Sequence, residues 1–346
     1  MYSLKPVAFA VLAVMASQAF AESNTADLAQ KGSVNSASID QSGTSIGAVL
    51  TQDGSNNTAD YTQSGSANHA DATQFGASNK LTVSQKQGSA NTIEANQNGD
   101  VNTAGFYQHY SNDSTTQITQ SGSQNGSSSY QYYTDTAQAS VDQNGDHNSS
   151  TTYQYNTVLG SATVEQTGNF NKGKVKQIGA EASSGTVAQD GNFNQAEVYQ
   201  EASWSSATVN QDGNYNIAKT SQIEGSENTV TVRQTGDDNT ADLKQTGVLN
   251  QMTVTEAGNA NDVTASQTGG NMNDISVTVN GDLNELEITQ VGNDQNLTAH
   301  QNGYWNEMTA TQAGNANALT ASQYGRENLT TVSQAGNGNI ANITQR

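Results

Sequence analysis

Side chains able to do acid–base or metal chemistry are few and scattered in this sequence. It has four histidines (His69, His109, His147 and His300) and no cysteine. The histidines lie far apart in the periodic frame set out below, so neither a catalytic dyad nor a zinc cluster follows from them. Lack of cysteine excludes thiolate metal sites, disulfides and cysteine nucleophiles. Carboxylates recur in turns: Asp100, Asp146, Asp237 and Asp282 share one turn position, and Asp190 and Asp212 share another. The first four do not fall on consecutive repeats, and the Gly-Gly-x-Gly-x-Asp nonapeptide of calcium β-rolls is absent. They read as solvated turn residues that keep like charges apart. Asn-x-Thr at Asn296, Asn328 and Asn342 reads as a turn Asn before a strand Thr, not as a glycosylation acceptor. No active site and no cofactor are expected.

Glutamine is the residue whose spacing carries information. A register runs Gln30, Gln41, Gln52, Gln63, Gln74, Gln85, Gln97 and onward to Gln323, Gln334 and Gln345. It has 29 positions, of which Gln fills 27; Glu256 and Val279 take the other two. Numbered from zero, every interval that starts at an even position is 11 residues, whereas seven of the 14 starting at odd positions are 12. A G-x-x-N motif follows all 14 even positions that open a turn, as in Gly32 to Asn35, Gly54 to Asn57 and Gly325 to Asn328. Seven of 14 odd turns show it. The unit is therefore 22–23 residues long, in two similar but inequivalent halves.

Each half predicts one strand. Small or β-branched residues sit four and two places before the register Gln, as in Ala48/Leu50, Ile93/Ala95 and Val230/Val232. Polar residues lie between them, which is the period of two of a half-buried strand. Gly permits positive φ at the turn, and Asn beside it tolerates the left-handed region and bonds local backbone. Strand–turn–strand–turn units repeated about 14 times predict an all-β, parallel two-sheet solenoid, each rung burying its neighbour's apolar face. An inward Gln would be costly alone. Stacked on its own kind at ~4.8 Å, an amide both donates and accepts along the axis. The same holds for the turn Asn. Gln30, Gln41, Gln52, Gln63, Asn35, Asn57, Gly32, Gly54, Gln323, Gln334, Gln345, Asn328 and Gly325 are thus the expected ladder and assembly residues. Tyr107, Tyr130 and Tyr153 each precede an odd-register Gln at 23-residue spacing and predict an outward aromatic ladder; Phe170, Phe193 and Tyr215 predict another. The odd turns after Gln108, Gln131, Gln154 and Gln200 lose their Gly, yet the inward apolar pairs are expected to persist there.

Composition agrees. The chain is 33% hydrophobic and 13% charged, below the ~45–50% and ~25% of globular domains, so a thick core is excluded. A net charge of −20 argues against a nucleic-acid partner. Lys5, the apolar run Val7–Met15 and Ala19-Phe20-Ala21 predict a removed signal peptide over residues 1–21. That run is too short to span a membrane, which takes ~20 apolar residues. Residues 22–29 are then a short leader and 30–346 the repeat solenoid.

The pattern Gln52-Asp-Gly54-Ser-Asn-Asn57-Thr-Ala59-Asp-Tyr-Thr-Gln63 resembles the curlin repeat. Curlins are secreted subunits of curli, the functional amyloid fibres of Gram-negative bacteria. The resemblance covers residues 30–346 and implies a homopolymeric extracellular fibre attached to the cell surface, serving adhesion and biofilm matrix. It also implies an outer-membrane secretion channel, a periplasmic chaperone and a minor nucleator subunit as partners. Familiar curlins carry fewer repeats and a longer leader. Thr344-Gln345-Arg346 is similar to the end of the nucleating subunit, whereas the scarcity of Lys and Arg is more like the major, fibre-forming one. The competing expectation is a monomeric secreted β-solenoid: an adhesin, or a surface-, glycan- or ice-binding module. Such a monomer needs capping segments, whereas unprotected edges template another chain. A solenoid enzyme would need carboxylates clustered on one face.

Overall fold

The computed structural model describes residues 23–346 and the two-residue strand Leu12–Ala13. The rest of the expected signal peptide lies outside the described residues. Among them the only regular secondary structure is β-strand. The chain divides into two compact units, Met1–Leu159 and Gly160–Arg346.

In the first unit, strands that end at even register positions form one parallel sheet, from Thr25–Ser33 through Gly47–Ser55 and His69–Ala77 to Gln138–Asn144. Strands at odd positions form the other, from Ser36–Thr44 through Thr58–Ser66 to Ser149–Tyr155. Consecutive half-repeats never pair; each strand pairs with the one a full repeat away, in register, Gln on Gln. The second unit repeats this scheme, with even strands from Ser161–Asn169 to Ile340–Gln345 and odd strands from Lys172–Ile178 to Leu329–Asn337. Over both units the described residues supply 15 even strands and 14 odd ones, with Leu12–Ala13 paired beside Ser36–Thr44, close to the expected 14 rungs. The first even strand begins at Thr25, so part of the segment expected as leader is already paired with Gly47–Ser55.

The core of each unit is the thin layer between its sheets. Ala48, Leu50, Ile93, Val230 and Val232 are buried there, as the alternation predicts. One stretch departs from expectation. In the odd strands Gly126–Tyr132 and Ser149–Tyr155 the inward pairs are Ser127/Ser129 and Ser150/Thr152. They are hydroxyls, not apolar groups, and burial is tolerated because each finds a copy one rung away. Ser150 Oγ donates to Ser127 Oγ at 2.9 Å, and Thr152 Oγ1 to Ser129 Oγ at 2.8 Å.

Turn geometry explains the Gly and the extra residue. Gly54 has φ +138°, and a Cβ built on it would lie 1.9 Å from the Gly76 carbonyl oxygen of the next rung. The left-handed residue is not the Asn but the one before it, whatever its type: Val34, Asn56, Val101 and Phe170 all have φ near 60°. This costs ~1–2 kcal/mol per non-Gly residue. In exchange the N–H points along the axis: Asn56 N donates to Ser33 O at 3.0 Å, and Phe193 N to Asn169 O at 2.9 Å. Each of the seven 12-residue odd turns has a second left-handed residue two places after its Gln: Gln87, Tyr110, Tyr133, Asn156, Gly179, Glu224 and Gly269. The inserted residue is thus a local bulge that leaves strand register intact.

The Gly geometry sets a test. Gly213 has φ +126° and a Cβ there would sit 2.0 Å from Gly236 O, whereas a Cβ on Gly126 meets nothing within 4 Å. Gly213→Ala should therefore destabilise the fold by at least ~1–2 kcal/mol in denaturant titration. Gly126→Ala should be neutral or slightly stabilising.

Candidate assembly site: the amide ladders

The inward glutamines form two directional columns in each unit. In the first unit Gln30 Nε2 donates to Gln52 Oε1 at 2.6 Å, Gln52 to Gln74 at 2.7 Å and Gln74 to Gln97 at 2.8 Å. The odd column runs the same way, Gln41 to Gln63 at 3.1 Å and Gln63 to Gln85 at 2.7 Å. In the second unit Gln290 donates to Gln312 and Gln312 to Gln334, both at 2.8 Å; Gln323 donates to Gln345 at 3.1 Å. The second Nε2 hydrogen goes across the core to a strand-start carbonyl: Gln52 to Ser36 O at 3.2 Å, Gln334 to Ala318 O at 3.1 Å and Gln345 to Leu329 O at 3.0 Å. A buried amide is thereby satisfied on both groups without water.

The turn Asn stitches consecutive turns twice. Asn35 Oδ1 accepts the Asn57 N–H at 3.1 Å, and Asn35 Nδ2 donates to Gly54 O at 3.2 Å. Asn57 repeats both contacts with Asn79 and Gly76. Gly32 lies beneath Gly54 O as Gly54 lies beneath Gly76 O. At the last rung Asn328 receives the ladder from Asn306, and a Cβ on Gly325 would meet only Asn328 Nδ2. The turn aspartates three places after the register position, Asp100, Asp146, Asp237 and Asp282, belong to the same network, which corrects their reading as merely solvated. Asp100 Oδ1 accepts the Ala77 N–H at 2.8 Å, and Asp282 Oδ1 accepts both the Asn259 N–H and its Nδ2.

Aromatic columns follow the rungs outside. Tyr107 and Tyr130 stack at 4.8 Å and 7°. The column then breaks: Tyr153 is tilted 48° to Tyr130 because Tyr132 approaches it at 6.1 Å. Phe170, Phe193 and Tyr215 stack throughout, at 4.8 and 4.9 Å with planes within 1°.

The family model of the curlin associated repeat matches residues 21–54, 54–86, 88–122, 180–213, 205–236, 236–269 and 314–346. The chain belongs to the curlin repeat family. No curated protein sequence matches it. Curlin repeats build structural fibre subunits, not enzymes. The stretch 123–179, outside these matches, includes the hydroxyl-lined rungs. The stretch 270–313, also outside, includes Val279 and Gln295, which replace a register Gln and a turn Asn.

Sequence reasoning recorded Glu256 as a substitution without seeing its consequence. Glu256 is buried and accepts from Gln234 Nε2 at 2.7 Å, but Val279 above it offers no acceptor. Glu256 Oε1 and, beyond the gap, Gln301 Oε1 are left with no hydrogen-bond partner. An orphaned buried acceptor costs ~1–3 kcal/mol. Burial pushes the Glu256 carboxyl well above its usual range; the Gln234 hydrogen bond opposes this and Asp262 adds to it.

The pH dependence follows from that direction. Folding favours the neutral acid, so the stability Glu256 contributes is complete below the ordinary carboxylate pKa of about 4.3. It is lost as pH rises through the raised value. Glu256→Gln should remove this component and raise stability at neutral pH by ~1–3 kcal/mol. Denaturant midpoints of both proteins at pH 4 and pH 8 check it: a wild-type-minus-variant difference that does not change with pH would contradict the assignment.

Proposed function

We propose that the chain is a secreted, self-assembling subunit of curli-like amyloid fibres at the surface of a Gram-negative bacterium, serving adhesion and biofilm matrix. Residues 1–21 are its removed signal peptide and residues 30–346 its fibre-forming solenoid. The observation that carries the reading is the polarity of the ladders. Among the described residues the Gln–Gln register bonds donate in the same chain direction, so, Glu256 and Val279 excepted, one face of a rung presents amide donors and the other presents acceptors. Gln30 and Gln41 accept no ladder bond among the described residues. Gln334 and Gln345 donate only across the core. The opening rung of the first unit is therefore complementary to the closing rung of the second unit in another copy, not to itself. Head-to-tail contacts of this kind propagate into filaments instead of closing into dimers. Backbone N–H and C=O groups of the end strands add the same complementarity.

The family brings the expected partners: a minor nucleator, an outer-membrane channel and a periplasmic chaperone. The major-subunit role fits the low Lys and Arg content. Thioflavin T kinetics with electron microscopy on purified mature chain test the reading, with fibres expected. Two deletions give it an edge. Removing residues 323–345 should slow assembly without abolishing it, because another repeat is exposed. Removing residues 131–153 should leave the rate nearly unchanged. A monomer that stays soluble and Thioflavin-negative would refute fibre assembly, and greater slowing by the central deletion would refute growth from the ends.

A further inference from the structure

Lys and Arg are rare in this chain, and they collect on one face of it. Between the first residue of a strand and its register position, alternate residues face away from the core. The odd strands of the second unit place five lysines at such positions: Lys172, Lys174, Lys176, Lys219 and Lys244. The even strands of that unit place only Arg233 there, the odd strands of the first unit only Lys80, and its even strands no Lys or Arg. Further along the lysine-bearing face the charge reverses. Asp262, Glu285, Glu287 and Glu307 point outward from the next three odd strands, with no Lys or Arg among them.

Strand register arranges these groups in columns. The first column opens with Lys172 and ends with Asp262, Glu285 and Glu307 on consecutive rungs. The second runs Lys174, Glu197, Lys219 and Asp242, and reaches Glu287 two rungs later. Inside the molecule Lys174 Nζ meets Glu197 Oε1 at 2.6 Å, and Lys176 Nζ lies 4.9 Å from the Tyr199 ring centre. Lys172, Lys219, Asp262, Glu285, Glu287 and Glu307 have no ion pair among the described residues. Three carboxylates stacked at ~4.8 Å repel one another, and nothing on their own sheet offsets it.

We infer that two copies of the chain pack sideways through this face, related by a two-fold axis parallel to the strands, so that the basic half of each lies on the acidic half of the other. Such an axis keeps each column over itself and reverses the order of the rungs. Placed between Ile217–Ser226 and Thr240–Val248, it sets Lys172–Ile178 on Glu285–Asn293 and Gln195–Gln200 on Asp262–Thr268. Lys172 then meets Glu285, Lys174 meets Glu287 and Lys219 meets Asp242, each twice by symmetry. Glu197 meets Thr264, and Asp262 meets Gln195, so no carboxylate opposes another. A two-fold axis along the fibre would instead set every rung on its own copy, lysines on lysines and Glu285 on Glu285. The paired fibres therefore run in opposite directions. A polyanion laid along the rungs would pass from the lysines onto Asp262, Glu285 and Glu307, and a polycation would meet the reverse. The partner must carry both signs in this order, and the chain itself does.

Area decides when this happens. Six strands at ~4.8 Å and five residues at ~3.3 Å give about 480 Å² per partner. A stable isolated interface needs ~800 Å² per partner. Monomers therefore pair weakly, whereas fibres repeat the patch once per subunit and pair through multivalency.

The inference rests on the fibre reading above, and the experiment separates the two. Full-length mature chain is assembled, and Thioflavin T elongation is recorded beside the fraction of fibres seen in pairs by electron microscopy. Lys172→Glu with Lys174→Glu should reduce that fraction several-fold while elongation stays near wild type. Glu285→Lys with Glu287→Lys should reduce it equally, although this variant is less acidic and general repulsion between its fibres is weaker. All four substitutions in one chain keep the wild-type net charge, restore opposite signs across the axis and should return pairing to near the wild-type fraction. If one double variant folds poorly, the other and the fourfold variant still decide. Failure of all proteins to form fibres refutes the proposed function. Wild-type fibres that remain single, a Glu-to-Lys variant that pairs as well as wild type or better, or a fourfold variant that pairs no better than the doubles, each overturn only the lateral inference.

Discussion

A buried primary amide needs an acceptor and a donor in line, and in the described columns the register amides of the two adjacent rungs supply them. Most other features follow from that requirement. Consecutive copies must lie at strand spacing, so strands must pair in parallel and in register. A parallel neighbour must be a full repeat distant, because two turns separate strands of the same sheet. The turns must then close a rung without shifting it, which is why every even interval is 11 residues and the 12-residue odd turns absorb their extra residue in a left-handed bulge. A one-residue slip would turn every inward apolar side chain outward and orphan every Gln, so the apolar layer and the amides specify the same register.

Directionality comes from the second amide hydrogen. An interior Nε2, as in Gln52, binds one carbonyl across the core and one Oε1 on the next rung, so the side chain cannot flip without losing both. The Asn at the turn is held in the same sense by a Gly carbonyl and the next Asn N–H. Local and long-range contacts thus agree on one orientation, the consistency that marks a minimally frustrated sequence. Where they disagree, at Glu256, Val279 and Gln301, two oxygens are stranded. That is the place in the second unit where the even column is interrupted.

Much of this was legible because the signal is periodic. Gln at 27 of 29 positions fixes the strand count, pairing partner and inward face. What was not legible is local geometry carried by no residue type. The left-handed corner is occupied by Val34, Phe170, Trp305 and Glu327 alike, since its φ is imposed by the closing turn and not by preference. The inward hydroxyls of Ser127 and Thr152 were unreadable for a related reason. A Ser or Thr in a strand looks polar and outward until its copy one rung away is seen to accept from it. The tilt of Tyr153 needs the position of Tyr132, which alternation alone does not give.

A double-mutant cycle on one ladder step tests the central claim most directly. Gln189 Nε2 donates to Gln211 Oε1 at 2.8 Å deep in the even column of the second unit. Unfolding free energies of Gln189→Ala, Gln211→Ala and the double variant isolate that bond from the cavities each change creates. If the amide ladder holds rung to rung, the coupling energy should be ~0.5–1.5 kcal/mol and favourable. Additivity within ~0.3 kcal/mol would mean that backbone pairing and the apolar layer suffice and that the glutamines are passengers.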